Sequence, residues 1–153
     1  MKLEDITKPA VTTREDATLT DVLNLMITEQ TNSLLVCDAT GALIGEIGVP
    51  DILDAIVPTY LEGDSIAAHF ATEEMFQEAV QDAALKPVSE FMSTDVHPIK
   101  STENLMSVAA IAIAQRRAQI PVTDADGHPI GVVSRRGLKH IIANYLNIAD
   151  SSA

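Results

Sequence analysis

The chain carries the same residue pattern twice, and the two copies are separated by a constant offset of 86 residues. This offset superimposes Gly45 on Gly131 and needs no gap over a segment of several strands and helices. It also pairs Leu19 with Leu105, Val22 with Val108, Val36 with Val122, Asp38 with Asp124, Gly41 with Gly127, Ile44 with Ile130 and Ile56 with Ile142. A repeated unit that cannot bury its apolar face alone is expected to pack against its copy. We therefore predict one domain with an internal pseudo-two-fold axis, in which any cleft between the halves occurs in two related versions.

The composition is typical of a folded protein that has few aromatic residues. Of the 153 residues, 46% are hydrophobic, which is ample for the core of one domain. Only 3% are aromatic and there is no Trp, so few rings are available to stack on a base. The single Cys37 excludes an intramolecular disulfide. The chain starts without the apolar stretch of a signal peptide, and no run approaches the ~18 apolar residues of a membrane span. We therefore expect a soluble cytoplasmic protein.

The charge is strongly negative but unevenly distributed. The formal net charge of −12 argues against a nucleic-acid partner, because Lys and Arg contacts to phosphates drive that association. Residues 92–146 nevertheless hold six bases and four acids, a local balance of +2 that leaves −14 on the rest. The six bases are Lys100, Arg116, Arg117, Arg135, Arg136 and Lys139. If the chain binds a small anion, the second repeat is the expected place, unless these bases only form a solvated face.

The first repeat is predicted to span residues 1–57 and to form a helix, a hairpin and a second helix. Apolar residues at helical spacing after Thr18, a suitable cap, predict the first helix. Two β-prone runs on either side of the turn 38–41 predict the hairpin, and Pro50 with Asp51 opens the second helix. The residues predicted to be buried in the helices are Leu19, Val22, Leu23, Met26, Ile27, Ile52, Leu53 and Ile56.

The second repeat is predicted for residues 89–148 and copies this order around the turn 124–127. Its first helix is predicted to bury Leu105, Val108, Ala109, Ala112 and Ile113, and its last helix to bury Leu138, Ile141, Ile142, Tyr145 and Leu146. Residues 149–153 are predicted to be a frayed tail. The connector 58–88 is too long for an ordinary loop, and apolar and acidic residues alternate along it at helical spacing. We predict two short acidic amphipathic helices there, which either cover the module's own surface or contact another subunit.

The two repeats together resemble the tandem CBS-domain family, which is named after cystathionine β-synthase. The resemblance is strongest over Ile120-Pro121-Val122-Thr123-Asp124, the turn ending at Gly127, and Gly131-Val132-Val133-Ser134 before a helix. It covers about two-thirds of the chain. The resemblance implies an α/β (α+β) fold of two βαββα units packed with pseudo-two-fold symmetry and joined by a helical connector. It also implies clefts for adenosine compounds such as AMP, ADP, ATP or S-adenosylmethionine, and a homodimer of two modules.

The family's nucleotide signature is a Gly, a Ser or Thr three residues later, and an Asp three residues after that. The hydroxyl residue lies where a strand turns into a helix, so helix N–H groups and the helix dipole face a phosphate. The Asp, one turn into the helix, accepts both ribose hydroxyls. The first repeat keeps Asp51 but has Gly48 in place of the hydroxyl residue. The second keeps Ser134 but has Gly137 in place of the Asp.

Each cleft therefore has half of the expected chemistry. Loss of the carboxylate forfeits about 1.5–3 kcal/mol of binding free energy, which the cations Arg135 and Arg136 beside the helix N-terminus would offset. The nucleotide-binding residues that the resemblance implies are Val96, His97, Pro98, Ile120, Pro121, Val122, Ser134, Arg135 and Arg136 in the second repeat, and Val11, Leu35 and Asp51 in the first. Each has an ordinary structural alternative. Ser134 is a good N-cap without any ligand, Asp51 is favoured by its own helix dipole, and the apolar residues suit a core or a strand edge.

No constellation of catalytic or metal-binding residues is evident in the sequence. The four histidines share no metal-ligand spacing, Cys37 is expected to be an inert thiol within a strand, and no Gly-rich phosphate loop or nucleophile elbow occurs. We therefore predict a regulatory module, not an enzyme, that requires no cofactor. It is predicted to bind an adenine nucleotide in the inter-repeat cleft and to signal to an unidentified protein, without nucleic-acid or membrane partners. The alternative is a ligand-free structural module for protein interaction and dimerisation.

Overall fold

The computed structural model describes residues 2–58, 61, 63–115 and 119–148. The predicted frayed tail, residues 149–153, lies outside this part of the chain, as do Arg116 and Arg117. The chain divides into two compact units. The first-repeat unit contains the described residues of 11–39 and 44–95, and the second-repeat unit contains those of 1–10, 40–43 and 96–153.

The first repeat forms a three-stranded sheet and two helices. Strand β2 (Thr12–Arg14) precedes helix α1 (Leu19–Thr28), and the hairpin strands β3 (Ser33–Cys37) and β4 (Leu43–Gly48) lead into α2 (Val49–Ile56). The strand order is β2-β3-β4, with β2 parallel to β3. As predicted, Thr18 caps α1, since the N–H of Asp21 donates to its Oγ1 at 3.2 Å.

The second repeat has the same order of elements and one additional strand. A 3-10 helix (Leu3–Ile6) and strand β1 (Thr7–Lys8) come from the start of the chain. They join β5 (Ile99–Lys100), α6 (Leu105–Ala114), β6 (Gln119–Thr123), β7 (Pro129–Ser134) and α7 (Arg135–Tyr145). The sheet order is β1-β7-β6-β5. Both repeats are therefore βαββα units of a mixed α/β fold, which confirms the predicted fold class.

The segment that leads into each repeat pairs with the sheet of the other repeat. Thr7 of β1 pairs with Val133 of β7 in the second-repeat unit. Ser93, which lies 86 residues after Thr7, pairs with Glu46 of β4 in the first-repeat unit through two N–H···O bonds of 2.9 Å. Each lead-in segment thus adds hydrogen bonds to a strand that is distant in sequence.

The matched pair Gly45 and Gly131 permits this close approach. A Cβ on Gly131 would lie 2.5 Å from Thr7 Cγ2 and 2.7 Å from the carbonyl oxygen of Lys8. A Cβ on Gly45 would lie 2.8 Å from the Met92 sulfur. Because these distances are shorter than van der Waals contact, any larger residue would push the lead-in segment away from the strand. Packing of the lead-in segments therefore explains why the two repeats share this glycine.

Each unit has its own apolar core. The first contains Leu19, Val22, Met26, Leu34, Val36, Ile47, Ile52, Ile56, Ala83 and Val88, and the second contains Leu3, Ile6, Ile99, Val108, Ile120, Val122, Val133 and Ile141. The predicted burial was wrong for Ile27, Leu53, Ala109, Ile113, Ile142, Tyr145 and Leu146, all of which are exposed. Helices α1 and α7 each pack one side against a small sheet, so the buried stripe is narrower than the apolar stripe of the sequence. In α6, apolar residues occupy nearly every side, and their spacing does not identify the buried one.

The connector is helical, as its periodicity predicts. It forms α3 (Ser65–His69) and α4 (Glu73–Ala83), followed by the short α5 (Val88–Phe91). Asp64 caps α3 and Thr72 caps α4, because each side chain accepts a backbone N–H of the first turn, at 2.9 and 3.1 Å. Helix α4 packs against α2, and Ala83 lies in the first core. Within the described residues, no helix combines the length and the apolar character that crossing a bilayer requires.

Candidate functional site

The candidate site of the second repeat begins where β7 turns directly into α7. Ser134 is the last residue of the strand and the N-cap of the helix, and its extended backbone (φ −100°, ψ 163°) suits a cap. Its Oγ accepts the N–H of Gly137 at 3.1 Å. The hydroxyl therefore already stabilises its own helix, and its proton and remaining lone pair are available to a ligand at the same point.

Positive charge is concentrated on the first turn of α7. Arg135 and Arg136 are both exposed, and this turn contains no acidic residue. Neither guanidinium forms an ion pair or hydrogen bond with the described residues. Arg135 shares a helix face with Lys139 and Ile142, and all three line a shallow cavity of 430 Å³. The helix dipole adds to this charge, so the start of α7 favours an anion.

The 3-10 helix at the start of the chain packs over Gly137, the position where the family signature has the ribose-binding Asp. Gly137 is buried, and a Cβ at this position would lie 3.2 Å from Ile6 Cβ and 3.4 Å from the Ile6 carbonyl oxygen. The 3-10 helix packs on α7 here. A side chain at position 137 would therefore require Ile6 to shift by a few tenths of an ångström. The second repeat has little room for the carboxylate.

The sheet register brings Gln119 and the predicted segment 96–98 toward Ser134. Gln119, the first residue of β6, pairs with Ser134 across β6 and β7. Strand β5 is parallel to β6, and Ile99 of β5 pairs with Val122. The segment 96–98, which precedes β5, therefore extends toward the start of β6. Sequence reasoning assigned no role to Gln119, although it directly precedes the motif that carries the resemblance. The amide of Gln119 and the exposed His97 supply polar groups at this sheet edge.

The predicted apolar wall on β6 is part of the protein interior. Ile120 and Val122 are 3% and 0% exposed and belong to the second core, and Pro121 is also buried. Their side chains therefore hold the sheet together, which agrees with the structural alternative for these residues. Val96 is partly buried, whereas His97 and Pro98 are exposed. Of the six predicted wall residues, the segment 96–98 is the part open to a ligand.

The three candidates of the first repeat also contribute to local structure. The carboxylate of Asp51 accepts the N–H of Gly48 at 2.7 Å, which closes the start of α2. The N–H of the buried Leu35 donates to the carbonyl of Val11 at 3.0 Å and joins β3 to the preceding segment. A Cβ on Gly48 would approach Pro50 Cδ to 3.4 Å and Asp51 Oδ2 to 3.8 Å, which are ordinary contacts. The missing hydroxyl of this repeat is therefore not excluded by space.

Lys100 is committed to the turn of the second hairpin and is not part of the positive surface on α7. Its Nζ donates to the carbonyl of Asp124 at 2.7 Å. The Asp124 carboxylate accepts the N–H groups of His128 and Asp126, each at 2.9 Å, and lies 3.7 Å from the His128 ring. The backbone N–H of His128 is the main cause that lowers the pKa of Asp124 below its usual value, and Lys100 adds to the effect.

Cys37 and the metal-binding types of side chain were the remaining candidates for reactive chemistry. Cys37 is buried in β3, and burial, followed by the neighbouring Asp38, raises the pKa of its thiol. No group of three His, Cys, Asp or Glu side chains in the described part of the chain is arranged to hold a metal ion. The thiol is therefore mainly protonated at neutral pH and a poor nucleophile.

Nine of the twelve predicted site residues lie in the second-repeat unit, and Val11, Leu35 and Asp51 lie in the first-repeat unit. Within the second-repeat unit, Ser134, Arg135, Arg136 and the segment 96–98 are the accessible members. Ile6 is a further residue beside this site that sequence reasoning missed, and it is buried in the second core. Nothing in the sequence indicates its contact with Gly137.

A protein-family model for the CBS domain matches the chain twice, over residues 3–58 and 88–144. Uncharacterized protein MJ1426 of Methanocaldococcus jannaschii is 27% identical, and the match covers 90% of this chain and 89% of that protein. The two family matches include the segments that carry the internal repeat. They extend the likeness over nearly the whole described chain.

Solved structures show the same fold. The CBS domain of a CBS domain containing membrane protein from Sphaerobacter thermophilus is 29% identical, with a TM-score of 0.72 over 92% of this chain and 86% of that one. The CBS-pair protein CBSX2 from Arabidopsis thaliana is 20% identical, with a TM-score of 0.75 over 97% and 98% of the two chains. A second CBSX2 structure, in complex with AMP, is 19% identical and has a TM-score of 0.69 over 95% and 98%.

Proposed function

The chain belongs to the CBS-domain family, and on that premise we propose that it is a regulatory module whose second repeat binds an adenine nucleotide. Tandem CBS proteins are generally regulatory rather than catalytic. CBSX2, which shares the fold, has been solved with AMP bound. The proposal for this chain rests on its own residues at the start of α7.

The observation that most directly supports nucleotide binding is the combination of Ser134 with Arg135 and Arg136. The helix N-terminus, the Ser134 hydroxyl and both arginines lie within one turn, which has no acidic residue. Phosphate is the ligand group that suits this arrangement, because Arg can donate two parallel N–H bonds to it and the helix N–H groups face it. The neighbouring segment 96–98 is open and provides polar and apolar contacts for the nucleoside.

We infer that the affinity depends more on phosphate than on ribose. Gly137 provides no carboxylate for the ribose hydroxyls, and Ile6 packs closely against this position. The phosphate contacts therefore carry most of the polar recognition. AMP, ADP and ATP fit this balance better than S-adenosylmethionine, which has no phosphate. No further cofactor is part of the proposal.

Binding would regulate through differential affinity. A ligand shifts a conformational equilibrium only by the difference between its affinities for the two states. In this chain the start of α7 also contacts the 3-10 helix at Ile6. A phosphate bound at Ser134 would therefore stabilise one arrangement of residues 3–6 on α7, and a partner protein that contacts this surface would sense it.

Isothermal titration calorimetry against AMP, ADP, ATP and S-adenosylmethionine tests the proposal, with adenosine as the phosphate-free control. We expect R135A/R136A to weaken the phosphorylated ligands by at least about tenfold and to change adenosine little. The matched control K8A/R14A removes two exposed positive charges away from the start of α7 and should leave the affinities within about twofold. Equal loss for adenosine and AMP would refute the phosphate role of the two arginines.

The second candidate function is a ligand-free structural module for protein interaction and dimerisation. It is favoured by the hydrogen bonds of Ser134 and Asp51, since each already caps its own helix. No binding across the whole nucleotide panel, together with a stable homodimer, would support it. Binding of any phosphorylated member of the panel at micromolar concentration would instead support the nucleotide module.

A further inference from the structure

The acidic connector forms one wall of a groove that is separate from the nucleotide-binding residues. Helix α4 and the C-terminal half of α2 border a half-open cavity of 610 Å³, and α3 lies at its end. All described residues that line it belong to the first-repeat unit. The groove therefore does not involve Ser134 or the two arginines of α7.

The groove has an apolar interior with room for another protein's side chains. Its floor includes the small residues Ala55, Ala79 and Ala83. Met75 and Phe76 of α4 line it and are 45% and 54% exposed. Large side chains that remain exposed beside small ones leave an apolar surface that binding of a partner would cover.

Carboxylates surround this apolar interior. Asp54 of α2 and Glu78 and Asp82 of α4 line the cavity, and all three are exposed. None of them forms an ion pair or accepts a hydrogen bond from the described residues. Glu78 and Asp82 are one helical turn apart, a spacing at which like charges repel each other. A cation placed between them would remove this repulsion.

The only basic residue among those described in the lining is held by the backbone. Lys86 donates from Nζ to the carbonyl of Ala55 at 2.9 Å, near the C-terminus of α2 where a cation is favourable. The ammonium therefore stabilises the groove wall and leaves the three carboxylates uncompensated. The groove is apolar inside and negative around its opening.

We propose that this groove binds a basic amphipathic helix of a partner protein. The apolar face of the helix would enter the cavity beside Met75 and Phe76, while its Lys or Arg residues pair with Asp54, Glu78 and Asp82. Two helices that border a groove are a common receptor for a third helix, with affinity from apolar anchors and selectivity from charge. A second copy that contacts this groove symmetrically is a poorer occupant, because it would bring α2 and α4, which contain no Lys or Arg.

Fluorescence anisotropy with two labelled synthetic helical peptides tests this proposal. The first peptide has Leu on one face and Lys on the other, and the second has Glu in place of Lys. We expect the Leu-Lys peptide to bind, its affinity to fall with added salt, and the Leu-Glu peptide to bind at least about tenfold more weakly. Equal binding of the two peptides would overturn the charge argument.

Matched variants locate the binding. F76S should weaken the Leu-Lys peptide about tenfold, whereas F70S, which alters an exposed ring outside the cavity lining, should leave it within about twofold. The neutralising triple D54N/E78Q/D82N should weaken it several-fold and flatten its salt dependence. The control triple E73Q/E74Q/E90Q removes the same charge elsewhere in this unit. It should change neither the affinity for the peptide nor its salt dependence.

Equal effects of test and control variants would show that the peptide binds nonspecifically to an acidic protein. This result would overturn the proposal that the groove is the binding site. Circular dichroism checks that each variant is folded, and the exposure of all the changed side chains favours this. If F76S instead dissociated a homodimer in sedimentation, the occupant would be a second copy and the partner proposal would be wrong. R135A/R136A should bind the peptide like the wild type, so failure of the nucleotide proposal would leave this one standing.

Discussion

The two glycines that replace residues of the ligand signature lie in different surroundings. At Gly48 the backbone is extended and a side chain would meet only ordinary contacts. At Gly137 a side chain would meet Ile6. The sequence alone revealed both substitutions but not this difference, because Ile6 is 131 residues away from Gly137 along the chain. The two glycines should therefore respond differently when the signature is restored.

Restoring the first signature with G48S should change stability by roughly a few tenths of a kcal/mol, because Ser and Gly are both acceptable N-caps. The new hydroxyl beside Asp51 completes the signature, and we expect the calorimetric stoichiometry for AMP to increase. Restoring the second signature with G137D should lower the free energy of unfolding by about 1–3 kcal/mol, because it overpacks the contact with Ile6. Urea denaturation measures both effects. A G137D protein that is as stable as the wild type and binds AMP more tightly would contradict this account.

The turn at Asp124 predicts a pH dependence of stability. The native pKa of Asp124 is lowered, chiefly by the backbone N–H of His128, so the folded state favours the ionised carboxylate. Its contribution to stability is complete above the ordinary value of 3.8 and is lost as the pH falls from there through the lower native pKa. We expect D124N, which still offers an acceptor to both N–H groups, to show a shallower loss of stability in this range.

Urea denaturation at a series of pH values below neutral measures this slope. The control D126N removes a charge from the same turn without removing the acceptor of two backbone hydrogen bonds. It should keep the wild-type slope. Identical slopes for the wild type and D124N would show that the turn does not contribute to acid sensitivity.

At the scale of elements, hydrophobic periodicity located the helices and the hairpins, and turn residues marked the connections between them. It did not identify which apolar side chains are buried. Ile142 and Ile141 are adjacent and equally apolar, yet one is 60% exposed and the other 5%. Only the position of the sheet distinguishes them. The pairing of β1 with β7 was also missed, because a two-residue strand carries no periodic signal.

The close packing of β1 on β7 should make G131A strongly destabilising. The added methyl group would collide with Thr7 Cγ2 and with the Lys8 carbonyl, and we expect a loss of about 1–3 kcal/mol in the free energy of unfolding. The double variant T7G/G131A should recover only part of this loss, because the Lys8 carbonyl remains. A double-mutant cycle by urea denaturation measures the coupling. Additive effects would show that the two residues are not in contact.

At the scale of the whole molecule, a further feature to explain is the set of large apolar side chains exposed on two helices of the second-repeat unit. Met106 and Ile113 of α6 are 81% and 86% exposed, and Ile142, Tyr145 and Leu146 at the end of α7 are 60–65% exposed. Such a concentration on two helices is unusual for a protein that functions as a monomer. We propose that these helix faces pair with a second copy in a homodimer.

This proposal predicts that I113D/I142D is a folded monomer under conditions in which the wild type is a dimer. Both side chains are exposed within one chain, so the change should leave its fold intact while placing charges in the interface. Sedimentation equilibrium measures the mass, and L85D, which alters an equally exposed residue of the first-repeat unit, is the control and should remain dimeric. A wild type that stays monomeric at high concentration would remove the homodimer from the proposed function. It would also leave the apolar faces of α6 and α7 as a surface on which a different protein could bind.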